Sequence, residues 1–184
     1  MAVEWDTPTG PITGVYIPRR DTSSRLVALL GGRIFPGWHQ LAHFRAEEGE
    51  GSYEVRINSR DGEVAVGVRA RRAGDVTAGS VFANVDHASQ FFRSAPVGYA
   101  ATPKAGILDG VKLSTCGWGM CPVELLQVES SFFDDGRRFP GETAVLDSAF
   151  LMEGLDTCWS AMPPLVPAAA PDTGRCEAAR PCLR

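Results

Sequence analysis

Lysine is nearly missing from this chain. Only Lys104 and Lys112 occur, so sixteen of the 18 basic residues are arginine. There is no basic surplus either: 22 acidic residues give a net charge of −4. The arginines fall into two local groups, Arg19, Arg20 and Arg25, and Arg69, Arg71 and Arg72, with the rest scattered. Nucleic-acid binders normally carry a basic stripe, so that class is excluded as an expectation. No apolar run approaches the roughly 18 residues that a membrane-spanning helix needs. The opening MAVEWDTPTG has neither a basic n-region nor an apolar h-region, so it is not read as a secretion signal and the expected location is cytoplasmic. Cysteine is sparse and odd in number, at five. An odd count without a secretion signal argues against a disulfide framework. Cys116 and Cys121 have no histidine after them, so no metal site is expected, and small buried thiols on strands are the simpler reading. Repeats, heptads and blocks of like charge are also missing.

With 184 residues, of which 44% are apolar and 22% charged, the chain has the composition of one soluble domain able to bury a core. The densest local signal runs from Gly14 to Phe44, GVYIPRRDTSSRLVALLGGRIFPGWHQLAHF. It reads as strand, capped helix, turn and strand. Gly14 to Ile17 is the first strand. Asp21 is placed to cap a helix over Thr22 to Leu30, and Gly31–Gly32 ends it. From Trp38 to Arg72 the pattern switches to period two: HQLAHFRA, then YEVRINS, then EVAVGVRAR after the hairpin signal Asp61–Gly62. This predicts a three-stranded antiparallel meander. A second helix, HASQFFRS, follows Asp86 as its cap and docks Phe91 and Phe92 on the sheet. Val111 to Trp118 and Val123 to Phe133 are further strands, and Ala144 to Met152 is apolar but ambiguous in type. The expected fold class is α+β: a curved, barrel-like antiparallel sheet with two short helices. Residues 1–13 are expected to be an irregular lead-in, 14–164 the domain, and 165–184 a flexible C-terminal tail.

Several of these segments together resemble a known family. The Gly14–Phe44 segment, GSVFANVDHASQFFRSAPVGYAATP, ESSFFDD and FPGETAVLDSAFLMEGLDTCW resemble, in that order, an uncharacterised branch of the acetoacetate decarboxylase-like superfamily. The likeness runs from Gly14 to Pro164. It implies a curved antiparallel sheet closing around an internal pocket, with no cofactor. Longer members have sequence ahead of the first strand, which implies that part of the site is missing here or comes from a partner subunit. Characterised members use a lysine Schiff base, carried on a Phe-Pro-Lys-Lys-Leu-Ala type strand after the helix. The matching strand here is Phe35-Pro36-Gly37-Trp38-His39-Gln40-Leu41-Ala42. It contains no amine, so Schiff-base decarboxylation at that strand is rejected. Other members perform aldol, dehydration or cyclisation chemistry on carbonyl compounds.

The candidate residues follow. His39 and His43 share one face of their strand by alternation, and an imidazole titrates near neutrality, so His39 is the candidate acid/base with His43 beside it. Ala42, Phe44 and Ala46 form the competing face. Arg19 and Arg20 lie just ahead of the helix, where a guanidinium suits a carboxylate or phosphate. Glu124 and Glu129 are out of phase on their strand, so at most one faces inward; Glu129 is the candidate catalytic carboxylate. Trp38, Tyr99, Cys116 and Trp118 are candidate pocket walls. The expected function is a cofactor-independent lyase, isomerase or cyclase acting on a carbonyl-bearing small molecule. The alternatives are a non-catalytic small-molecule-binding barrel and a homo-oligomer whose open sheet edge pairs with another subunit.

Overall fold

A computed structural model of the chain describes residues 1–7, 9–104 and 106–167. In chain order the elements are β1 (Ala2–Trp5), β2 (Ile12–Ile17), β3 (Arg20–Thr22), α1 (Arg25–Leu30), β4 (His39–Gly49), β5 (Ser52–Ser59) and β6 (Ala65–Arg72). They continue with α2 (Val85–Ser94), β7 (Val97–Ala101), β8 (Leu108–Cys116), β9 (Cys121–Ser130), β10 (Ala149–Leu151) and β11 (Asp156–Leu165). Strand makes up 48% of the described residues and one sheet is curled into a half-barrel. A curved, sheet-rich fold with two helices is therefore what the chain adopts.

The strands form two sheets, not one. The first has the order β1-β2-β7-β8-β11 and the second β10-β9-β6-β5-β4-β3. Most pairs are antiparallel, but β2 runs parallel to β7 and β3 parallel to β4. The mainly antiparallel arrangement expected thus includes two parallel pairs: between β3 and β4 the chain returns through α1, a crossover that brings the strand back in the same direction, whereas β2 and β7 are separated by all the elements from β3 to α2. The meander of β4, β5 and β6 is as the alternation predicts, with Asp61–Gly62 between β5 and β6.

Three local readings change. Residues 1–13 are not irregular: β1 pairs antiparallel with β2 from Ala2↔Val15 to Trp5↔Ile12, a partnership that a four-residue segment does not advertise alone. The first helix starts later than Thr22, because Arg20 to Thr22 are drawn into pairing with His39 to Leu41. Ser24 caps it instead, its hydroxyl accepting from the Val27 N–H at 3.3 Å, while Asp21 is held by Arg19. Likewise α2 is capped by Asn84, which accepts from the His87 N–H at 2.8 Å, rather than by Asp86. The ambiguous 144–152 segment supplies β10, which pairs with the start of β9. Phe92 of α2 meets Phe150 of β10 at 6.2 Å between ring centroids, so the helix does dock through its aromatics. The strand β11 carries the domain to Leu165, which is buried. The rest of the expected tail, from residue 168, lies outside the described residues.

The core is thin. The buried apolar side chains are mainly alanine and valine, and Val111 on β8 is the only large one below 2% exposure among the described residues. Among the described residues no helix is long and apolar enough to cross a membrane.

Candidate functional site

The candidate site forms where β3, the end of α1 and the start of β4 meet β8 and β11. The parallel register sets Arg20 beside His39. Both line a cavity of about 300 Å³ with Val27, Phe35, Pro36, Val111, Trp159 and Ser160. A second, more open hollow of about 510 Å³ lies under α1 and is lined by Trp38, Leu29 and His39 among others. His39 therefore stands between the two. The smaller volume is at the lower end for small-molecule sites, and its walls are largely apolar with few polar groups, as such sites usually are.

His39 is buried. Its Nδ1 lies 3.0 Å from the Gly37 carbonyl oxygen. A carbonyl only accepts, so Nδ1 carries the hydrogen and Nε2 is left with its lone pair. Burial lowers the imidazole pKa, the Arg20 charge lowers it further, and the Gly37 carbonyl opposes them. The ring is thus a neutral base with one open nitrogen. This carries a pH consequence. The unfolded imidazole takes a proton near pH 6.5, whereas the folded one holds out to lower pH. The native state then binds fewer protons, so His39 contributes stability in full above about pH 6.5 and loses it as pH falls through that value toward the folded pKa. Urea unfolding followed from about pH 8 down to about pH 5 should show this slope, and His39→Gln should remove its share.

Arg20 is the only lysine or arginine lining the smaller cavity. Its Nη1 donates to the Pro36 carbonyl at 2.9 Å, and its guanidinium lies 4.9 Å from the Trp159 ring centroid. Burial depresses its pKa, and among the described residues no carboxylate offsets this. A half-buried cation without a counter-charge is costly unless an anion joins it. The loop between α1 and β4 is fixed on every side. The Gly37 N–H donates to Asp109 Oδ2 at 2.7 Å, and the Trp38 N–H donates to the Ala101 carbonyl at 3.2 Å. Gly31 is as tightly placed, since a Cβ there would lie 2.8 Å from His39 Nδ1.

Arg19 behaves in the opposite way. Its guanidinium contacts Asp21 at 2.9 Å, Asp61 at 3.0 Å and Glu63 at 3.1 Å. Hydrogen bonding to Asp21 raises its pKa, with Asp61 adding to it. Its donors are spent on tying β3 to the β5–β6 turn, so it is not placed to hold a ligand.

The remaining expected site residues are dispersed. Trp38 lines the open hollow. His43 is exposed and lines neither cavity, because β4 leaves its cover after Ala42. Glu129 is exposed and accepts from Gln127 at 2.7 Å, so it is not an inward carboxylate. A bulge explains this. Arg69 pairs with Gln127 but Ala70 pairs with Leu125, so Leu126 is extra. The inserted residue shifts the phase and turns Glu124 and Glu129 to the same outer face. Tyr99 on β7 packs edge-on against Trp5, 5.2 Å between centroids. Cys116 is exposed at the end of β8. Trp118 donates from Nε1 to Ser89 Oγ of α2 at 2.8 Å. None of these three touches the cavities. Lys104 and Lys112 do not line them either. Among the described residues no three His, Cys, Asp or Glu side chains converge as metal ligands would.

Trp159, Val111 and Asp109 were not singled out from sequence, yet they wall or brace the site. They lie seventy or more positions away from His39 in sequence, and a segment read alone carries no sign of that meeting. No protein-family model, curated protein or solved structure matches the chain.

Proposed function

We propose that this chain is a cofactor-independent enzyme of the acetoacetate decarboxylase-like kind, without the Schiff-base lysine, acting on a small carbonyl-bearing acid. The observation that carries this reading is the pairing, in one cavity, of an open-nitrogen imidazole with an uncompensated guanidinium. Arg20 receives the carboxylate of the substrate. His39 Nε2 takes a proton from the carbon next to the carbonyl, and the C–H electron pair moves into the carbonyl to give an enolate. The positive charge of Arg20 stabilises the developing oxyanion better than it does the neutral ketone. Return of the proton to another carbon is isomerisation; loss of a β-substituent is a lyase step; attack on an internal carbonyl is cyclisation.

A second reading rests on a specific feature. Apart from His39, the smaller cavity offers only Ser160 as a side chain able to move a proton. One imidazole with only a serine hydroxyl beside it suits a ligand-binding pocket without chemistry.

Proton NMR of small 2-oxo and 3-oxo acids in heavy water separates the two. The enzyme reading expects exchange of the α-hydrogens with the intact protein and none with His39→Ala, whose far-UV circular dichroism stays native. Line broadening of a bound acid without exchange establishes the binding reading. Neither broadening nor exchange across the set removes both.

A further inference from the structure

The second sheet has two unlike faces. Read across β4, β5, β6 and β9, one set of cross-strand rows is Phe44, Ile57, Val66, Ser130 and then Ala46, Val55, Val68, Val128. The opposite rows are Arg45, Arg56, Gly67, Glu129 and then Glu47, Glu54, Arg69, Gln127. The charged face is solvated and already paired, Arg56 with Glu54 at 2.7 Å for example. The apolar face is the more crowded one, as expected for the inside of a curl, yet it is not covered. Phe44 is 47% exposed, Val55 37% and Val128 38%. At its rim the Ser130 hydroxyl is buried without a hydrogen-bond partner.

The surface of the whole molecule says how much is open. It totals 12928 Å². A folded monomer of 19.7 kDa exposes roughly 8,600 Å². The residues from 168 onward, even granted the full surface of an extended chain, account for roughly 2,600 Å². About 1,700 Å² or more is then left over for the molecule as a whole, within the roughly 1,000–2,500 Å² that each partner of an obligate homodimer buries, and the exposed Phe44, Val55 and Val128 are part of it. The sheet also has a free edge. β3 pairs with β4 only over His39 to Leu41, so Ala42 to Gly49 is hydrogen-bonded on the β5 side alone. That edge complements itself: laid antiparallel about Ala46, Arg45 stands opposite Glu47 of the partner subunit, and the reverse pair forms by symmetry.

We propose that a second copy of this chain covers the apolar face, the two β4 edges meeting antiparallel so that each half-barrel continues the curl of the other and the two apolar faces look onto one enclosed interior. Arg45 and Glu47 pair within their own chain, and the antiparallel edge of a second copy sets the same two charges alongside them in alternation. A lipid would fill the curl but leave the β4 edge unpaired.

The test uses the full chain in sedimentation equilibrium and native mass spectrometry. The expected mass is twice 19.7 kDa. Val55→Glu places a charge on the apolar face, and Arg45→Glu sets two acids opposite each other; each should weaken dimerisation about tenfold or more, without loss of circular dichroism. The double exchange Arg45→Glu with Glu47→Arg should restore the dimer; because it also restores the Arg45–Glu47 pair within each chain, it is read together with Val55→Glu, whose retained circular dichroism separates lost dimerisation from misfolding. A wild-type monomer at the highest soluble concentration overturns the proposal. So does a monomer carrying a lipid-sized adduct, or a dimer indifferent to both single variants.

Discussion

Arg20→Gln weakens binding of a small carboxylate about ten- to one-hundredfold, the worth of a charge-assisted contact in a sheltered site. Glutamine keeps a polar, neutral side chain but ends two bonds short of the Nη1 that donates to the Pro36 carbonyl, so retained circular dichroism and melting temperature are the check that the loop above the cavity is undisturbed. What is lost is the one formal positive charge on the cavity wall. Isothermal titration with pyruvate or acetoacetate measures the loss. The same change raises the pKa of His39, because the Arg20 charge is one of the two influences holding it down; the imidazole proton shift against pH reads this directly. Arg19→Gln is the matched control. It should leave carboxylate affinity nearly unchanged, since that side chain is occupied by three acids. Equal losses from both variants would show that the local positive field, not a defined contact, attracts the ligand.

The second large effect is structural. Gly37 has φ +81°, which L-residues adopt only at a cost, and a Cβ there would lie 2.7 Å from the Ala100 Cβ and 3.2 Å from Arg20 Cδ. Ala100 is fully buried and its backbone belongs to β7, so it has nowhere to retreat. The backbone penalty of roughly 1–2 kcal/mol adds to an overpacking cost of roughly 1–3 kcal/mol. Gly37→Ala should therefore lower the melting temperature by about 5–15 °C for a domain of this size. A change below one degree in scanning calorimetry would mean that the loop is not clamped between Arg20 and β7. The same substitution displaces the carbonyl that fixes the His39 tautomer, so stability and ligand binding should fall together.

The meander was legible in the sequence because period-two alternation and the Asp61–Gly62 turn are local signals that agree with each other. β3 was not. Asp21 has the chemistry of a helix cap, and nothing within its own segment says that Arg19 will claim the carboxylate and that β4 will take the backbone. Glu129 failed for a related reason. Counting alternate positions assumes a regular strand, and the Leu126 bulge is imposed by pairing with β6. His39 and Arg20 were singled out by local signals, the alternation of histidines along one strand and the arginines just ahead of a helix. Trp159 reaches the cavity, and Asp109 braces Gly37, only through the register of β8 with β11 and β7, which is a property of the assembled sheet.

Two adjacent arginines have divided one task between them. Arg19 is moored to the tip of the β5–β6 hairpin through Asp61 and Glu63, and it keeps β3 from sliding along β4. Its neighbour is left at the cavity, charged and unclaimed. The hairpin tip is accordingly a remote adjusting screw: a loosened grip there lets the strand creep, and the distance between guanidinium and imidazole changes without either being touched.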